Sequence, residues 1–344
     1  MPKKVTMPII ESPRQITLKE ATVPDPGPRE VTIQVKACAI CGSDVHVFKG
    51  MHPAAPLPAG AGHELAGVVA EVGKEVTRFK VGDRVCMNPM LFCGKCYYCK
   101  RAEYNHCVQV TFCYRIGQSG FAEYINRDEN WVYRLPDSIS FEEGAVVEPT
   151  STAVHAAQSS DLHLGSKIAV FGAGPIGLQT LQAAKAHGAT WAAMVDVVDY
   201  RLDLARELGA DVTLDASQVD AVGRLRELTE GLGVDVTYEC VGLEQTMRQC
   251  LAALKKGGRA MALGVFENPE VKLNLQDMVN RELQIHAILA YVWDFQTALD
   301  LVSANRIRLK PLISHTFPLS RIQEAFELLL DKREKAVKVL ITHR

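Results

Sequence analysis

The sequence lacks a long hydrophobic run and has almost no excess of charge of either sign. Its 344 residues carry 38 Lys and Arg against 40 Asp and Glu, which leaves a net charge of −2. No apolar segment approaches the roughly 18 residues that a membrane-spanning helix needs, and no basic block marks a surface for nucleic acid. The apolar stretch at residues 7–10 is too short for the core of a secretory signal, about 7–15 residues. We therefore expect a cytoplasmic protein that binds neither membrane nor nucleic acid.

Low-complexity linkers and internal repeats are also absent, and the composition is that of an ordinary folded protein. Hydrophobic residues make up 47% and charged residues 23% of the chain, close to the average for globular domains. At about 150 residues per domain, the length predicts two domains. The first 150 residues contain short β-type segments broken by Pro and Gly, such as residues 30–37 and 67–73. They predict a compact, mostly antiparallel barrel or sandwich.

The second part of the sequence alternates between strand and helix patterns. The predicted elements are a helix at 140–157, a strand at 168–171, a helix at 178–187, a strand at 191–195, a helix at 200–208 and a strand at 234–238. This rhythm is typical of βαβ units and predicts an α/β fold with a doubly wound parallel sheet. It fades near residue 285, after which two helices, 295–304 and 322–330, and a final strand, 336–341, are predicted.

Cysteine is abundant, but its distribution argues against a disulfide framework. The chain has ten cysteines, and cytosolic thiols are kept reduced. Four of them, Cys93, Cys96, Cys99 and Cys107, fall within fifteen residues, and their spacing is typical of a closed structural zinc site. An iron–sulfur cluster and free thiols are the alternatives, although the common iron–sulfur run has a shorter last gap followed by proline. We predict a structural zinc ion in a lobe at residues 89–110.

A glycine pattern in the second part is typical of a dinucleotide-binding turn. The GxGxxG at residues 172–177 directly follows the predicted strand 168–171 and opens a helix. Its glycines allow a tight bend, a close approach to the pyrophosphate and close helix packing, and the pyrophosphate lies on the helix N-terminus. The predicted binding residues of this turn are Gly172, Gly174, Pro175, Ile176 and Gly177.

Asp196 and Arg201 bear on which dinucleotide binds. Asp196 follows the next predicted strand, 24 residues after Gly172, near the spacing of about 20 at which an acidic residue binds the ribose of NAD. A carboxylate there repels the 2′-phosphate of NADP, whereas the nearby Arg201 would pair with it. The pattern favours NAD, with NADP as the alternative; a glycine turn beside a surface aspartate is the interpretation without a cofactor.

Two short glycine-containing segments carry further candidate metal ligands. Cys41, His63 and one carboxylate would supply the three protein ligands of a catalytic zinc, which keeps one position open. On spacing alone each residue has a plainer interpretation, Cys41 as part of a core and His63 as part of a loop.

Taken together, these features resemble the zinc-dependent medium-chain alcohol dehydrogenase family, and within it the branch of sorbitol (polyol) and threonine dehydrogenases. The matching elements, in the family's order, are C-G-S-D-V-H at 41–46, G-H-E at 62–64, the glycine-bounded strand at 67–73, K-V-G-D-R-V at 80–85, the four-cysteine lobe, Glu148-Pro149 and the GxGxxG. They extend over most of the chain, and their joint occurrence is specific whereas any single one is not.

The resemblance implies the domain organisation and the number of zinc ions. It implies a GroES-like β-barrel catalytic domain formed by residues 1–150 plus 290–344, and an NAD-binding Rossmann domain formed by residues 151–289. One zinc ion is structural and lies in the four-cysteine lobe; the other is catalytic. The implied catalytic ligands are Cys41, His63 and Glu64, with Glu148 close by as a direct or water-mediated ligand. Since neighbours on an extended strand face opposite sides, His63 and Glu64 can reach one ion only if the chain bends there.

The resemblance also implies a proton relay and further cofactor contacts. Ser43 accepts the hydrogen bond of the substrate hydroxyl, and His46, with an unperturbed pKa of about 6.5, carries the proton towards solvent. Without the family, Ser43 would be read as a turn hydroxyl and His46 as a surface imidazole. Ser43, His46, Glu64 and Glu148 form the predicted catalytic set. The further predicted cofactor-binding residues are Val241, Gly264, Val265, Leu289 and Tyr291.

The implied activity is hydride transfer to NAD from a secondary alcohol of a polyol, sugar alcohol or cyclitol derivative, which gives a ketone. An L-threonine 3-dehydrogenase-like or 2,3-butanediol dehydrogenase activity is the alternative, and a homodimer or homotetramer is the expected assembly. A non-catalytic binding module is disfavoured because Cys41 and His63 are both present.

The sequence departs from sorbitol dehydrogenases at three places. Val47 stands where they usually carry an aromatic, and Ala290 where they carry an arginine that orients substrate hydroxyls, which argues against sorbitol itself. In the unusual loop at residues 111–119, Tyr114 and Arg115 are candidates for contact with a polar or phosphorylated substrate; an exposed loop is the alternative.

Overall fold

The structure, a computed structural model, describes residues 1–52, 55–331 and 335–343. Its strands are, in chain order, β1 (Lys3–Ser12), β2 (Gln15–Val23), β3 (Glu30–Ala39), β4 (Glu64–Val72), β5 (Arg84–Met87), β6 (Met90–Leu91), β7 (Thr111–Phe112), β8 (Tyr124–Asp128), β9 (Val132–Arg134), β10 (Lys167–Phe171), β11 (Trp191–Asp196), β12 (Val212–Asp215), β13 (Val234–Glu239), β14 (Leu254–Ala262), β15 (Gln284–Ala287), β16 (Ile313–Pro318) and β17 (Lys338–Thr342). Its α-helices are α1 (Gly42–Phe48), α2 (Tyr97–Lys100), α3 (Phe141–Gln158), α4 (Pro175–His187), α5 (Asp199–Glu207), α6 (Ala221–Leu228), α7 (Glu244–Ala253), α8 (Leu275–Arg281), α9 (Asp294–Ser303) and α10 (Ile322–Leu330). The chain divides into two compact units: Met1–Pro149 with Leu309–Arg344, and Thr150–Arg308.

The first unit is built around a mainly antiparallel sheet. Its strand order is β16-β17-β3-β4-β5-β9, and β8 also pairs with β3. The central strand β3 buries Val31, Ile33 and Val35 completely, because alternate side chains of a strand point to the same face. Phe48 of α1 and Phe326 of α10 close this core, with ring centroids 5.1 Å apart. The β-rich, mostly antiparallel unit predicted from the sequence is confirmed, and the C-terminal strand β17 belongs to it.

The second unit is a six-stranded parallel sheet flanked by helices. Its order is β12-β11-β10-β13-β14-β15, and every neighbouring pair is parallel. Numbered along the unit, this is the order 3-2-1-4-5-6 of the Rossmann fold. The direction of winding reverses between β10 and β13, and in such sheets ligands bind outside the carboxyl ends of the strands at that point. The predicted doubly wound sheet is confirmed.

Helix α3 shows how a local sequence signal positions a site residue. The hydroxyl of Ser140 accepts the N–H of Glu143 at 3.2 Å, and the carboxylate of Glu143 accepts the N–H of Ser140 at 3.1 Å. This reciprocal capping box fixes the start of the helix, which carries the buried Glu148 two turns further on. No helix among the described residues combines the length and apolar character needed to cross a bilayer.

The second boundary between the units differs from the predicted one. The sequence placed it between residues 289 and 290, where the strand–helix rhythm fades, but the second unit extends to Arg308. Helix α9 accounts for the difference: Phe295 and Leu299 are almost completely buried, and Asp294 Oδ2 lies 3.0 Å from Nδ1 of His155 in the same unit. The sequence predicted helix α9 itself, but it did not predict that this helix belongs to the second unit.

The first 23 residues form a hairpin that the sequence did not predict. Strands β1 and β2 pair antiparallel, with Lys3 opposite Val23 and Ser12 opposite Gln15. Pro8 lies inside β1, and proline within a strand pattern weakens the sequence signal.

Candidate active site and cofactor site

Cys41, His63 and Glu64 come together in the first unit. Their sulfur, ring-nitrogen and carboxylate-oxygen ligand atoms all lie within 4.8 Å of one another. His63 and Glu64 are buried and Cys41 is half-buried. A thiolate, an imidazole and a carboxylate match the donor types of a catalytic zinc with three protein ligands. The residues present therefore fit the predicted cation.

The chain bends directly before β4, which lets His63 and Glu64 reach the same point. Gly62 has a φ of +87°, in the left-handed region that favours glycine. A side chain at Gly62 would also approach the ring of Phe121 to 2.6 Å. Because β4 begins only at Glu64, His63 precedes the strand and does not follow its alternation of faces. The bend required by the sequence argument is present.

Asp44 joins the two segments that carry these ligands. Its carboxylate accepts the N–H of Cys41 at 3.0 Å and the N–H of Gly62 at 3.1 Å, and its Oδ1 lies 3.7 Å from Nδ1 of His63. Burial alone would raise the pKa of Asp44, but His63 and the two backbone donors lower it. A carboxylate beside the second ring nitrogen orients a ligating histidine. No role for Asp44 was predicted from the sequence.

Lys338 is a second residue that sequence reasoning missed. Its side chain is buried, and Nζ donates to Glu64 Oε1 at 2.8 Å and lies 2.5 Å from Oε2. Nζ also donates to the carbonyl of Ile40 at 3.2 Å. Lys338 is the first residue of β17 and interrupts the apolar sequence of the predicted strand 336–341, and a charged residue in such a stretch is rarely buried unless it is paired. That interruption was the available signal.

Glu148 lies outside the three-residue group. It is a buried residue of α3, 6% exposed, and it is not among the described side chains whose ligand atoms form the group. Its charge nevertheless acts at the site: burial lowers the pKa of Lys338, but Glu64, Cys41 and Glu148 together raise it. Whether Glu148 holds the metal directly or through water stays a prediction.

Ser43 and His46 both lie on α1, immediately after Cys41. Both side chains are half-buried, and residues three apart on a helix lie on the same side. This placement brings the two predicted relay residues onto the segment that supplies the sulfur ligand. Their part in proton transfer stays a prediction.

The loop at residues 111–119 packs its aromatic residues against His63. The ring of His63 lies 5.5 Å from the ring of Phe112 and 5.4 Å from the ring of Tyr114, measured between centroids. Tyr114 is 5% exposed, so it does not belong to an exposed loop. Arg115 is exposed, and its guanidinium lies 5.7 Å from the centroid of Tyr114. The loop therefore forms part of the wall around the candidate metal ligand.

The four cysteines of the predicted lobe form a second group. The sulfur atoms of Cys93, Cys96, Cys99 and Cys107 all lie within 4.8 Å of one another. The pairing of β6 with β7 closes the base of the lobe. N–H groups of Cys99 and Val108 lower the pKa of the Cys96 thiol, because donors to the sulfur favour the thiolate. Four converging sulfur atoms fit a structural zinc ion with a closed shell.

The glycine fingerprint has the geometry expected of a dinucleotide turn. Gly172 has a φ of +101°, and a side chain at Gly177 would come within 1.8 Å of the carbonyl oxygen of Gly172. Gly174 precedes the first residue of α4, Pro175, which is followed by Ile176. Gly172 thus permits the tight turn and Gly177 the close approach of the helix, as the sequence pattern predicted.

Asp196 and Arg201 line a cavity of about 400 Å³ in the second unit, together with Gly172, Gly174 and Val241. Asp196 Oδ2 accepts the N–H of Ala173 at 2.5 Å, and its Oδ1 accepts the N–H groups of the next two residues at 2.8 and 3.0 Å. Asp196 therefore connects the glycine turn to the end of β11.

Glu239, which was not predicted, holds the turn that supplies Val241 and Thr246 to the lining of this cavity. Its Oε1 accepts the N–H of Val241 at 3.0 Å, the N–H of Gly242 at 2.8 Å and the hydroxyl of Thr246 at 2.6 Å. A side chain at Gly264 would meet Glu239 Oε2 at 2.5 Å. The predicted residues Val241 and Gly264 are thus arranged around one buried carboxylate.

The other predicted cofactor residues lie outside the residues that line the cavity. Val265 and Leu289 are exposed, 45% and 53% respectively, whereas Tyr291 is fully buried with its ring 5.9 Å from that of Phe295. Their contacts with a cofactor stay predictions.

Comparison with known proteins places the chain in a family. Residues 27–137 match the model of the alcohol dehydrogenase GroES-like domain, and residues 175–304 match that of the zinc-binding dehydrogenases. The chain is 33% identical over 345 residues to sorbitol dehydrogenase of Bacillus subtilis (strain 168), covering 99% of this chain and 98% of that protein. The chain belongs to the zinc-dependent medium-chain alcohol dehydrogenases, in their polyol dehydrogenase branch. It is an oxidoreductase that acts on CH–OH groups.

Two solved structures show the same fold over the whole chain. A zinc-binding dehydrogenase of Sinorhizobium meliloti 1021 bound to NADP matches with a TM-score of 0.92 at 30% identity, covering 99% of this chain and all of the other. The 2R,3R-butanediol dehydrogenase of Bacillus subtilis matches with a TM-score of 0.89 at 32% identity and the same coverage. The predicted family and fold class are confirmed.

Proposed function

We propose that this polyol-branch dehydrogenase oxidises a secondary alcohol of a polyol, sugar alcohol or cyclitol derivative to a ketone, with NAD as hydride acceptor. The observation that carries the proposal is the convergence of Cys41, His63 and Glu64 within 4.8 Å. The dinucleotide cavity of the second unit supports the cofactor.

The metal group, Cys41, His63 and Glu64, and the residues beside it have different roles in the proposed reaction. A zinc ion held by Cys41, His63 and Glu64 would act as a Lewis acid and make a substrate hydroxyl more acidic. Asp44 keeps His63 in the orientation that ligation requires. Ser43 accepts the hydrogen bond of the hydroxyl at its Oγ, and His46 takes up the released proton at its ring, where it can exchange with solvent.

Asp196 supports NAD over NADP. A carboxylate in the cavity accepts hydrogen bonds from ribose hydroxyls and repels a 2′-phosphate. The NADP-bound relative and Arg201, which lines the same cavity, favour NADP as the second candidate. The comparison of initial rates with the two cofactors decides between them.

The substrate proposal is tested by metal analysis of the purified protein together with a substrate panel. Formation of NADH is measured at 340 nm with polyols, inositols, 2,3-butanediol and L-threonine. We expect two zinc ions per chain and the highest kcat/KM on a polyol or cyclitol. Fewer than two zinc ions, or no NADH with any alcohol, would overturn the proposal.

The 2,3-butanediol activity is the second candidate function. It is favoured by the structural match to 2R,3R-butanediol dehydrogenase and by Val47 and Ala290, which stand where sorbitol dehydrogenases usually carry an aromatic residue and an arginine. The highest kcat/KM on butanediol within the same panel would establish it. An L-threonine 3-dehydrogenase-like activity is identified by the same measurement.

We also propose that the enzyme is a cytoplasmic homo-oligomer, a dimer or a tetramer. None of the ten cysteines, all of which lie in the described ranges, forms a disulfide bond, as expected in a reducing compartment. Strand β15 ends the six-stranded sheet, and all four of its residues are exposed. An exposed sheet edge is a ready surface for pairing with another chain.

A further inference from the structure

The pair formed by Lys338 and Glu64 is an unusual feature of the candidate metal group. Lys338 is 3% exposed and Glu64 is completely buried. The lysine Nζ lies 2.8 Å from Oε1 and 2.5 Å from Oε2 of the same carboxylate. The negative charge of Glu64 is therefore shared between two positive groups. One is the ammonium group of Lys338, and the other is the cation that Cys41, His63 and Glu64 would hold together.

The strand order builds this pair across the central strand of the sheet. β17 and β4 lie on either side of β3, and Glu64 is opposite Ala39 in the register of β3 with β4. On the other side, the N–H of Ile40 donates to the carbonyl of Val339 at 2.9 Å. The end of β3, which leads directly into Cys41, is thus flanked by Glu64 and Lys338. Lys338 reaches over this end and also donates to the carbonyl of Ile40.

The negative charges around Cys41, His63 and Glu64 explain why a buried lysine lies beside Glu64. A Cys41 thiolate and the carboxylates of Asp44, Glu64 and Glu148 would bring four negative charges into a largely buried region, whereas a divalent metal supplies two positive charges. A buried charge without compensation is strongly unfavourable. Lys338 supplies a further positive charge directly beside Glu64.

We propose that Lys338 is a positioning residue that restrains Glu64 and withdraws negative charge from the metal group, so that the zinc ion stays electrophilic and exchangeable. This inference rests on the proposed function, because it takes Cys41, His63 and Glu64 as the zinc ligands. It predicts that loss of the lysine charge makes Glu64 a stronger ligand. A purely structural lysine predicts the opposite, because its loss would loosen the group.

The first experiment measures release of zinc from Lys338→Met to an excess of a chelator. The same substitution at Lys36, a half-buried lysine of β3 in the same sheet, serves as the matched control. Cys41→Ala identifies the release phase of the four-cysteine lobe. We expect Lys338→Met to release the zinc ion held by Cys41, His63 and Glu64 about tenfold more slowly than the wild type. We also expect kcat to be about tenfold lower and KM for the alcohol to change little. Lys338→Arg and Lys36→Met should behave like the wild type.

Removal of one partner of a buried ion pair is strongly destabilising, so Lys338→Met alone could fail to fold. A second pair of variants tests the role of Lys338 in that case. Glu64→Gln leaves the lysine charge beside the cation and should release zinc faster than the wild type. Adding Lys338→Met to Glu64→Gln removes that repulsion and should slow the release about tenfold relative to Glu64→Gln alone.

The two proposals fail in different ways. If the wild type holds no zinc at this group, or oxidises no alcohol, the proposed function fails and this inference with it. If the wild type holds two zinc ions and forms NADH, but Lys338→Met releases zinc as fast as or faster than the wild type, only the role of Lys338 is overturned. Release from the Glu64→Gln and Lys338→Met double variant that is no slower than from Glu64→Gln overturns it equally.

Discussion

At the scale of single residues, the metal group depends on neighbours that hold its donors in place. Asp44 hydrogen-bonds to the backbone at Cys41 and at Gly62 and faces the ring of His63. One buried carboxylate therefore fixes two ligands that are 22 residues apart in the sequence. The ligand atoms of the four-cysteine group are all sulfur. A closed set of four sulfur donors offers no position for a substrate. The two groups should respond differently to the loss of one thiol.

Cys41→Ala and Cys96→Ala test this difference directly. Cys41→Ala should reduce turnover to background and zinc content from two to one per chain, while the melting temperature stays near that of the wild type. Cys96→Ala should lower the melting temperature by roughly 10 °C, because a structural metal contributes directly to folding stability. Metal analysis, thermal unfolding and NADH formation are measured on both. An equal loss of fold and metal in the two variants would contradict the division into two sites.

Asp196 controls cofactor choice in the second prediction at this scale. Asp196→Ala should raise KM for NAD about tenfold, since the lost hydrogen bonds to the ribose are worth roughly 1–2 kcal/mol. It should also raise kcat/KM for NADP, because the repulsion of the 2′-phosphate is removed. Asp196→Asn keeps an acceptor for the backbone N–H groups of the turn and separates the charge from this positioning. Unchanged preference between NAD and NADP in both variants would rule out the role of Asp196.

At the scale of elements, the segment after β13 shows how a strand end builds a binding wall. Glu239, the last residue of β13, holds the following turn through Val241, Gly242 and Thr246. Gly264 has no side chain at the point where one would meet this carboxylate. The wall therefore depends on a single buried acceptor and on the space beside it.

Glu239→Ala should weaken NAD binding about tenfold or more, because three donors lose their acceptor and the turn at residues 241–246 loosens. Glu239→Gln keeps a carbonyl acceptor and should bind NAD more tightly than the alanine variant. Thr246→Val removes only one of the three hydrogen bonds and should have the smallest effect. The dissociation constant of NAD is measured by calorimetry, with kcat at saturating NAD as the control. A lower melting temperature with an unchanged dissociation constant would show that Glu239 serves stability alone.

Short-range patterns predicted much of the fold and of the site. The glycine fingerprint and the cysteine spacing both act within a few residues, so the sequence displays them directly. Lys338 and Glu64 are 274 residues apart, and their contact depends on β17 joining β3. Pairing of distant strands leaves no local mark in the sequence. The extent of the second unit beyond residue 289 was not predicted for a different reason, because it depends on the tertiary packing of helix α9 through Phe295 and Leu299.

At the scale of the whole molecule, the exposed edge of the second unit bears on assembly. β15 is paired on one side by β14 and ends the sheet. Ile285 in this strand is 39% exposed and the nearby Leu289 is 53% exposed. Natural proteins usually protect such an edge with charge, a bulge or a covering element. Here the edge strand carries no Lys, Arg, Asp or Glu and exposes Ile285 beside Gln284 and His286, as expected where a second chain pairs.

Ile285→Lys should therefore shift the protein towards monomers. A charge on an edge strand opposes pairing with another edge, and the same substitution at the opposite position of a symmetric partner would double the effect. Sedimentation velocity over a range of protein concentrations measures the state of assembly. Val219→Lys is the matched control, because Val219 is similarly exposed (46%) in the same unit but lies outside β15. If Ile285→Lys sediments like the wild type and like Val219→Lys, the edge of β15 is not the surface through which the chains associate.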